Sequence, residues 1–152
     1  MIVPDANLLL YSVDSTSPFH ERATRWWTGC LSGSVPVGLC QPVLFAFLRV
    51  STNRRVFREP LSLDTAGDLV KEWIAHPVTR LLLPGEDHVR HVVDLLAEAG
   101  SAGGDLVTDA QIAALARTHR GEIHTADHDF RRFPGVTCHY PLTPNETSLR
   151  LR

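Results

Sequence analysis

Four short apolar runs, each followed by a stretch long enough for a helix, constrain this chain more than any other feature. They are Ile2-Val3-Pro4, Val35 to Leu39, Val78 to Leu83 and Glu122 to Ala126. Strands alternating with helical segments build βα units, and such units pair into a parallel sheet with helices on its faces. Between the strands the sequence predicts a short helix over Asn7 to Tyr11, and a second that Pro18 opens and Gly29 or Gly33 ends. Val43 to Val50 is apolar nearly all round and reads as a buried helix. Asp64 is placed to cap a helix over Thr65 to Ala75. Glu86 to Ala99 is amphipathic, with Val89, Val92, Val93, Leu95 and Leu96 on its apolar side. An Ala-rich helix over Asp105 to His119 precedes the fourth strand, and Val136 to Tyr140 adds a short edge strand. The expected fold is α/β, an α/β/α sandwich around a parallel sheet of about four to five strands.

In open sheets of this kind, ligands collect at the carboxyl ends of the strands. Asp5, directly after the first strand, is therefore the first acid to weigh, although Asp is also a favoured helix cap. On the Ala-rich helix, Asp105, Asp109, Ile112, Ala113 and Ala116 share one side at about 100° per residue. Asp105 has an ordinary reading as the cap. Asp109 has none, because it lies a full turn in beside Ile112 and Ala113, where an unpaired carboxylate is expensive. Asp127 and Asp129 follow the fourth strand, and alone they read as an Asx turn with Asp129 capping a turn around Phe130. Right-handed crossovers bring neighbouring strand ends to one edge of the sheet. Asp5, Asp109 and Asp127 can thus converge although they are far apart in sequence.

Carboxylates gathered at one spot repel and raise one another's pKa. A hard divalent cation removes the conflict. Mg2+, with Mn2+ as the alternative, prefers carboxylate, water and phosphate oxygens. Such an ion lowers the pKa of bound water and steadies charge on a phosphodiester under attack. The constellation points to metal-dependent phosphodiester hydrolysis with Asp5, Asp109 and Asp127 as catalytic residues. Asn7 and Thr125, each two residues from an acid, either orient ligands and water or make plain turn hydrogen bonds.

Composition removes several other classes. At 152 residues and 43% hydrophobic, the chain is expected to form one domain over residues 1–145 with a tail at 146–152. A net charge of -2 offers no global basic field for nucleic acid. Cys30, Cys40 and Cys138 are odd in number and widely spaced, and no signal segment is evident, so the chain reads as cytoplasmic and free of disulfides. No apolar run reaches the roughly 18 residues that span a membrane. Gly100 to Gly104 is a break and not a phosphate loop, since no Lys-Ser/Thr pair follows it, and no GxGxxG follows the first strand.

The ordered motifs carry a family resemblance. Asp5-Ala6-Asn7-Leu8-Leu9-Leu10-Tyr11, Phe47-Leu48-Arg49-Val50, Leu106 to Ala116, Thr125 to Phe130 and Phe133-Pro134-Gly135 together resemble a PIN-domain protein, more narrowly a VapC-type toxin. The resemblance covers nearly the whole chain. It implies a PIN-like parallel-sheet fold and a magnesium-dependent endoribonuclease whose metal-binding acids map to Asp5, Asp109 and Asp127, with Asp129 assisting. It also implies a homodimer and a cognate VapB-like antitoxin that inserts a tail into the active-site groove. One departure stands out: many members carry a Glu just before the Phe-Leu-Arg segment, and here that position is Ala46. The resulting expectation is an active enzyme with an altered set of ligands, in which Asp105 as an auxiliary acid, or Asp129, substitutes for the missing one; the alternative is a weakened module that binds antitoxin or RNA without turnover.

A nuclease of near-zero net charge needs local basic residues to hold phosphates. Arg49, Arg54, Arg55 and Arg58 cluster where the central helix exits, and Arg131-Arg132 follow the last acids; a solvated helix end explains the first group equally well. Trp26, Trp27 and Trp73 read as core or dimer contacts. Among the histidines only His88 and His91 are spaced for one helix face, and no acid completes a site there. Aspartyl phosphotransfer fits poorly, because position 7 is Asn and Lys71, the sole lysine, sits on an amphipathic helix.

Overall fold

The computed structural model describes residues 1–143, so the expected tail at 146–152 lies outside the described residues. In chain order the elements are β1 (Ile2–Pro4), α1 (Ala6–Val13), α2 (His20–Ser32), β2 (Val37–Cys40), α3 (Gln41–Ser51), α4 (Leu63–Ala75), β3 (Thr79–Leu82), α5 (His88–Glu98), α6 (Leu106–Thr118), β4 (Glu122–His124), a 3-10 helix (His128–Arg132) and β5 (Cys138–His139). The sheet has five strands in the order β3-β2-β1-β4-β5. Every pairing is parallel. The α/β reading and the strand count both hold.

The central strand explains where the site forms. β1 matches β4 at Ile2–Glu122, Val3–Ile123 and Pro4–His124, whereas its register with β2 is the single pair Ile2–Val37. Pro4 has no N–H to give, so the ladder on that side has nothing to continue with. The next residue resumes pairing on the other side, where the Asp5 amide donates to the His124 carbonyl at 2.8 Å. Asp5 then caps α1, its Oδ1 accepting from the Ala6 amide at 2.6 Å.

Apolar residues from both faces close around the strands. Val3, Val37, Leu39, Leu82 and Ile123 come from the sheet, Phe47 and Trp73 from α3 and α4, and Ile112, Ala113, Leu115 and Ala116 from α6. Each large side chain fully withdrawn from water stabilises by about 1.5–3 kcal/mol. Trp73 lies edge-on to both Trp27 and Phe47, at 5.6 and 4.8 Å between ring centres. Trp27 and Trp73 are thus core residues, while Trp26 stays half-buried over the His124 ring. The three cysteines are free, and Lys71 is solvated beside Asp68. Among the described residues no helix is long and apolar enough to cross a membrane.

Several local expectations are corrected. α3 is not buried all round: Phe45 is 64% exposed, because only the side with Val43, Leu44 and Phe47 meets the sheet. On α5, Val92 and Leu95 are buried but Val89 and Val93 are 73% and 58% exposed. α5 packs mainly against α6, so a narrower stripe than its apolar sequence face is covered. Ser62, not Asp64, caps α4, its hydroxyl accepting from the Thr65 amide at 3.1 Å. β4 ends at His124, two residues earlier than expected, as Thr125 turns its side chain to Asp5.

Gly121 lets α6 turn tightly into β4: a Cβ there would sit 2.5 Å from Cγ2 of Val3. Val is stiff at χ1 and cannot yield. Gly121→Ala should destabilise by about 1–3 kcal/mol in urea unfolding. Gly85→Ala, whose Cβ meets nothing within 4 Å, should change stability by less than about 0.5 kcal/mol. Equal effects would show that the Gly121–Val3 approach does not limit packing.

Candidate active site

Asp5 is the most constrained acid of the molecule. It is 8% exposed, and its two oxygens accept three hydrogen bonds from three neighbours: Oδ1 takes the Ala6 amide, while Oδ2 accepts from Thr125 Oγ1 at 2.7 Å and Asn7 Nδ2 at 2.7 Å. Asn7 Nδ2 also reaches Thr125 Oγ1 at 3.2 Å, and Asn7 Oδ1 accepts from the Ala126 amide at 3.3 Å. Thr125 Oγ1 in turn accepts from the Asp127 amide at 2.9 Å. The two polar residues flanking the acids in sequence therefore tie the end of β1 to the loop after β4. Burial raises the Asp5 pKa, and the hydrogen bonds from Thr125, Ala6 and Asn7 oppose that rise.

Asp109 is brought to the same edge by α6. Its carboxyl is pushed up to about 7, first by burial and then by the charges of Asp5, Asp127, Asp129 and Asp105. Five carboxylates from β1, α6 and the loop after β4 thus share one field. Among the described residues none of the five forms an ion pair with Lys, Arg or His. Asp105 stands at the N-cap position of α6, but its side chain accepts no capping hydrogen bond. Asp127 makes the Asx cap expected of Asp129: its Oδ1 accepts from the Asp129 amide at 2.9 Å and starts the 3-10 helix. Asp127 and Asp129 remain exposed. The donor set is all carboxylate oxygen, which suits a hard divalent cation of the Mg2+ type.

The expected arginines are placed unevenly. Arg131 lies in the 3-10 helix next to the acids, with Nε 3.0 Å from Tyr140 Oη and its guanidinium 4.6 Å from the centre of that ring. Arg49 is in the last turn of α3, and Arg54 and Arg55 follow it in exposed turns. α3 starts at the acid edge, where Cys40 feels the charge of Asp5, and carries Arg49 about 12 Å along its axis from there. Ala46 is half-buried against the core and brings no oxygen to the edge.

Sequence spacing missed one constellation. Glu122 and His124 share a face of β4, and His139 is the register partner of His124 on β5. Ligand atoms of all three lie within 4.8 Å of one another, with His139 Nε2 2.9 Å from Glu122 Oε2. Their separation in sequence hid them, and only the β4–β5 pairing could have revealed them. Two imidazoles make this group a better match to a borderline cation than to Mg2+.

The PIN domain family profile matches residues 2–136. This chain belongs to the PIN-domain family. Within it the chain is of the VapC type: ribonuclease VapC33 of Mycobacterium tuberculosis is 42% identical over 142 residues, covering 93% of this chain and 99% of that protein. Two solved structures share the PIN fold at lower identity. Mycobacterium tuberculosis VapC20, described as a Sarcin-Ricin loop cleaving toxin, aligns with a TM-score of 0.64 and 18% identity over 86% of this chain and 93% of its own. VapBC-1 from nontypeable Haemophilus influenzae aligns with a TM-score of 0.65 and 15% identity over 94% and 100%. In this PIN domain Asp5 and Asp127 lie close enough to Asp109 for their charges to raise its pKa.

An acid with a raised folded pKa holds its proton more tightly folded than unfolded. Stability therefore falls as pH climbs from the ordinary value of 3.8 to about 7, and is level above. In metal-free buffer, Asp109→Asn should remove most of that fall and gain about 1–3 kcal/mol near pH 8, after allowance for solvent screening. A variant that loses stability across that range as steeply as the wild type would show that the acids do not crowd Asp109.

Proposed function

We propose that this protein is a magnesium-dependent endoribonuclease, the toxin of a toxin–antitoxin pair, and that it cuts RNA phosphodiesters with a Mg-activated water. The observation that carries the proposal is the convergence of Asp5, Asp109 and Asp127 from three separate segments in a chain of the VapC type. Asp5, Asp109, Asp127 and Asp129 would hold the ion, which when bound supplies a Lewis acid and an acidified water. Asp5 is fixed by Thr125 and Asn7, so its oxygens present one geometry. Asp109, whose pKa is raised, would have to lose its proton in order to ligate the ion. Exposed Asp127 and Asp129 face the groove where a phosphodiester enters, and Arg131 is the nearest basic candidate to hold it; Arg49, Arg54 and Arg55 are left to more distant RNA contacts.

The working unit in this reading is one domain over residues 1–145, acting in the cytoplasm as a homodimer. A VapB-like antitoxin is the proposed partner, following the VapBC-1 pair whose toxin fold this chain shares. Its tail would enter the acidic groove. Ala46 supports a second reading, a weakened module that binds antitoxin or RNA without turnover, since the usual acid is missing there. Asp105 favours the active reading, because it adds a fifth negative charge at the same edge.

Purified protein free of antitoxin should release discrete fragments from total cellular RNA in Mg2+, and none in EDTA or with Asp109→Asn. Intact RNA from a folded wild-type protein in Mg2+ would sink the nuclease and favour the weakened module. Thr125→Val keeps the shape but removes the hydroxyl between Asp5 and Asp127, and should lower the cleavage rate by about 10–100-fold. A rate within a factor of about two of wild type would mean that Thr125 makes only turn hydrogen bonds.

A further inference from the structure

The geometry points to a nucleobase-binding subsite beside the acids, in which the Tyr11 ring stacks on an unpaired base next to the scissile phosphodiester. A groove of about 470 Å³ is lined by Asn7, Tyr11, Ala126, Asp127, His128 and Asp129. Its lining combines two carboxylates, the Asn7 amide, Ala126 and the Tyr11 and His128 rings. Tyr11 is half-buried at the end of the first α1 turns, one side packed over Leu8, Ala23 and Leu142. Its ring is braced by the partly exposed Phe19 at 5.1 Å. Among the described residues its hydroxyl makes no hydrogen bond, so an apolar core role does not account for a Tyr at this place. Across the loop, exposed His128 rests on Tyr140 at 4.6 Å between ring centres. Tyr140 is itself held by Arg131. Two braced aromatic groups from different elements therefore border the groove that also holds Asp127.

Charge argues for the same assignment. The net charge of the chain is -2 and the groove is lined by acids, so phosphate attraction alone is a poor source of affinity here. A π face supplies affinity without positive charge and tolerates any base, which is how single-stranded nucleic acid is held on aromatic platforms. A base paired in a duplex cannot offer its face. Single-stranded oligomers are therefore the probes that report on this stacking contact.

This subsite rests on the ribonuclease reading but is tested separately from it. The Asp109→Asn protein, which does not cut, is titrated in Mg2+ with fluorescent single-stranded oligoadenylate and with an abasic ribose-phosphate oligomer of the same length. Adding Tyr11→Ala should weaken oligoadenylate by about 5- to 150-fold and leave the abasic oligomer unchanged. Tyr11→Phe should stay within a factor of about two, and Tyr11→Leu, which still covers Leu8 and Ala23, should weaken binding as Tyr11→Ala does. Equal losses for both oligomers, or full binding by Tyr11→Leu, overturn the subsite. On the wild-type background Tyr11→Ala should raise KM for single-stranded RNA with kcat largely kept. An unchanged KM with normal cutting overturns the subsite and spares the nuclease; base-dependent binding without any cutting does the reverse.

Discussion

Everything at the functional edge depends on holding like charges together. Five carboxylates act on one another there, and the fold keeps them close by fixing one of them firmly. Asp5 is clamped by Thr125, Asn7 and the Ala6 amide. The same Thr125 hydroxyl accepts from the Asp127 amide, so the clamp also sets where the next acid begins. The repulsion is expressed at Asp109, whose proton becomes hard to remove. Folding energy from the apolar sheet and its helices offsets this local cost.

The sequence was legible where periodicity and chemistry agreed. Alternating apolar runs announced the parallel sheet, and the meeting of Asp109 with Asp5 and Asp127 was readable because an Asp one turn inside an apolar helix has no cheap structural excuse and parallel strand ends share an edge. Asn7 and Thr125 were left between two readings from sequence; the structure gives each a local bond, Asn7 to Asp5 and the Asp127 amide to Thr125, and adds long-range ones from Asn7 to Thr125 and from Thr125 to Asp5.

What stayed hidden depended on tertiary packing. Nothing in Phe45, Val89 or Val93 announces that they face water, since exposure follows from which neighbours a helix lacks. The cap of α4 was misplaced by two residues because Ser62 and Asp64 are both good caps and only backbone geometry separates them. The Glu122, His124 and His139 group required knowing that β4 and β5 pair in register. Strand pairing is non-local, and no spacing rule reaches it.

Pro4 has a wider consequence. A proline in the central strand looks like a defect, yet here it decides how the sheet opens. β1 stays zipped to β4 through its last residue and parts from β2 after its first matched pair. The acid after it is thereby bound to the β4 side, the side that also carries Thr125 and Asp127. A missing donor in the backbone thus works as a dividing line drawn in the sequence, directing the acidic edge toward one neighbour and leaving the opposite side free for α3 to begin.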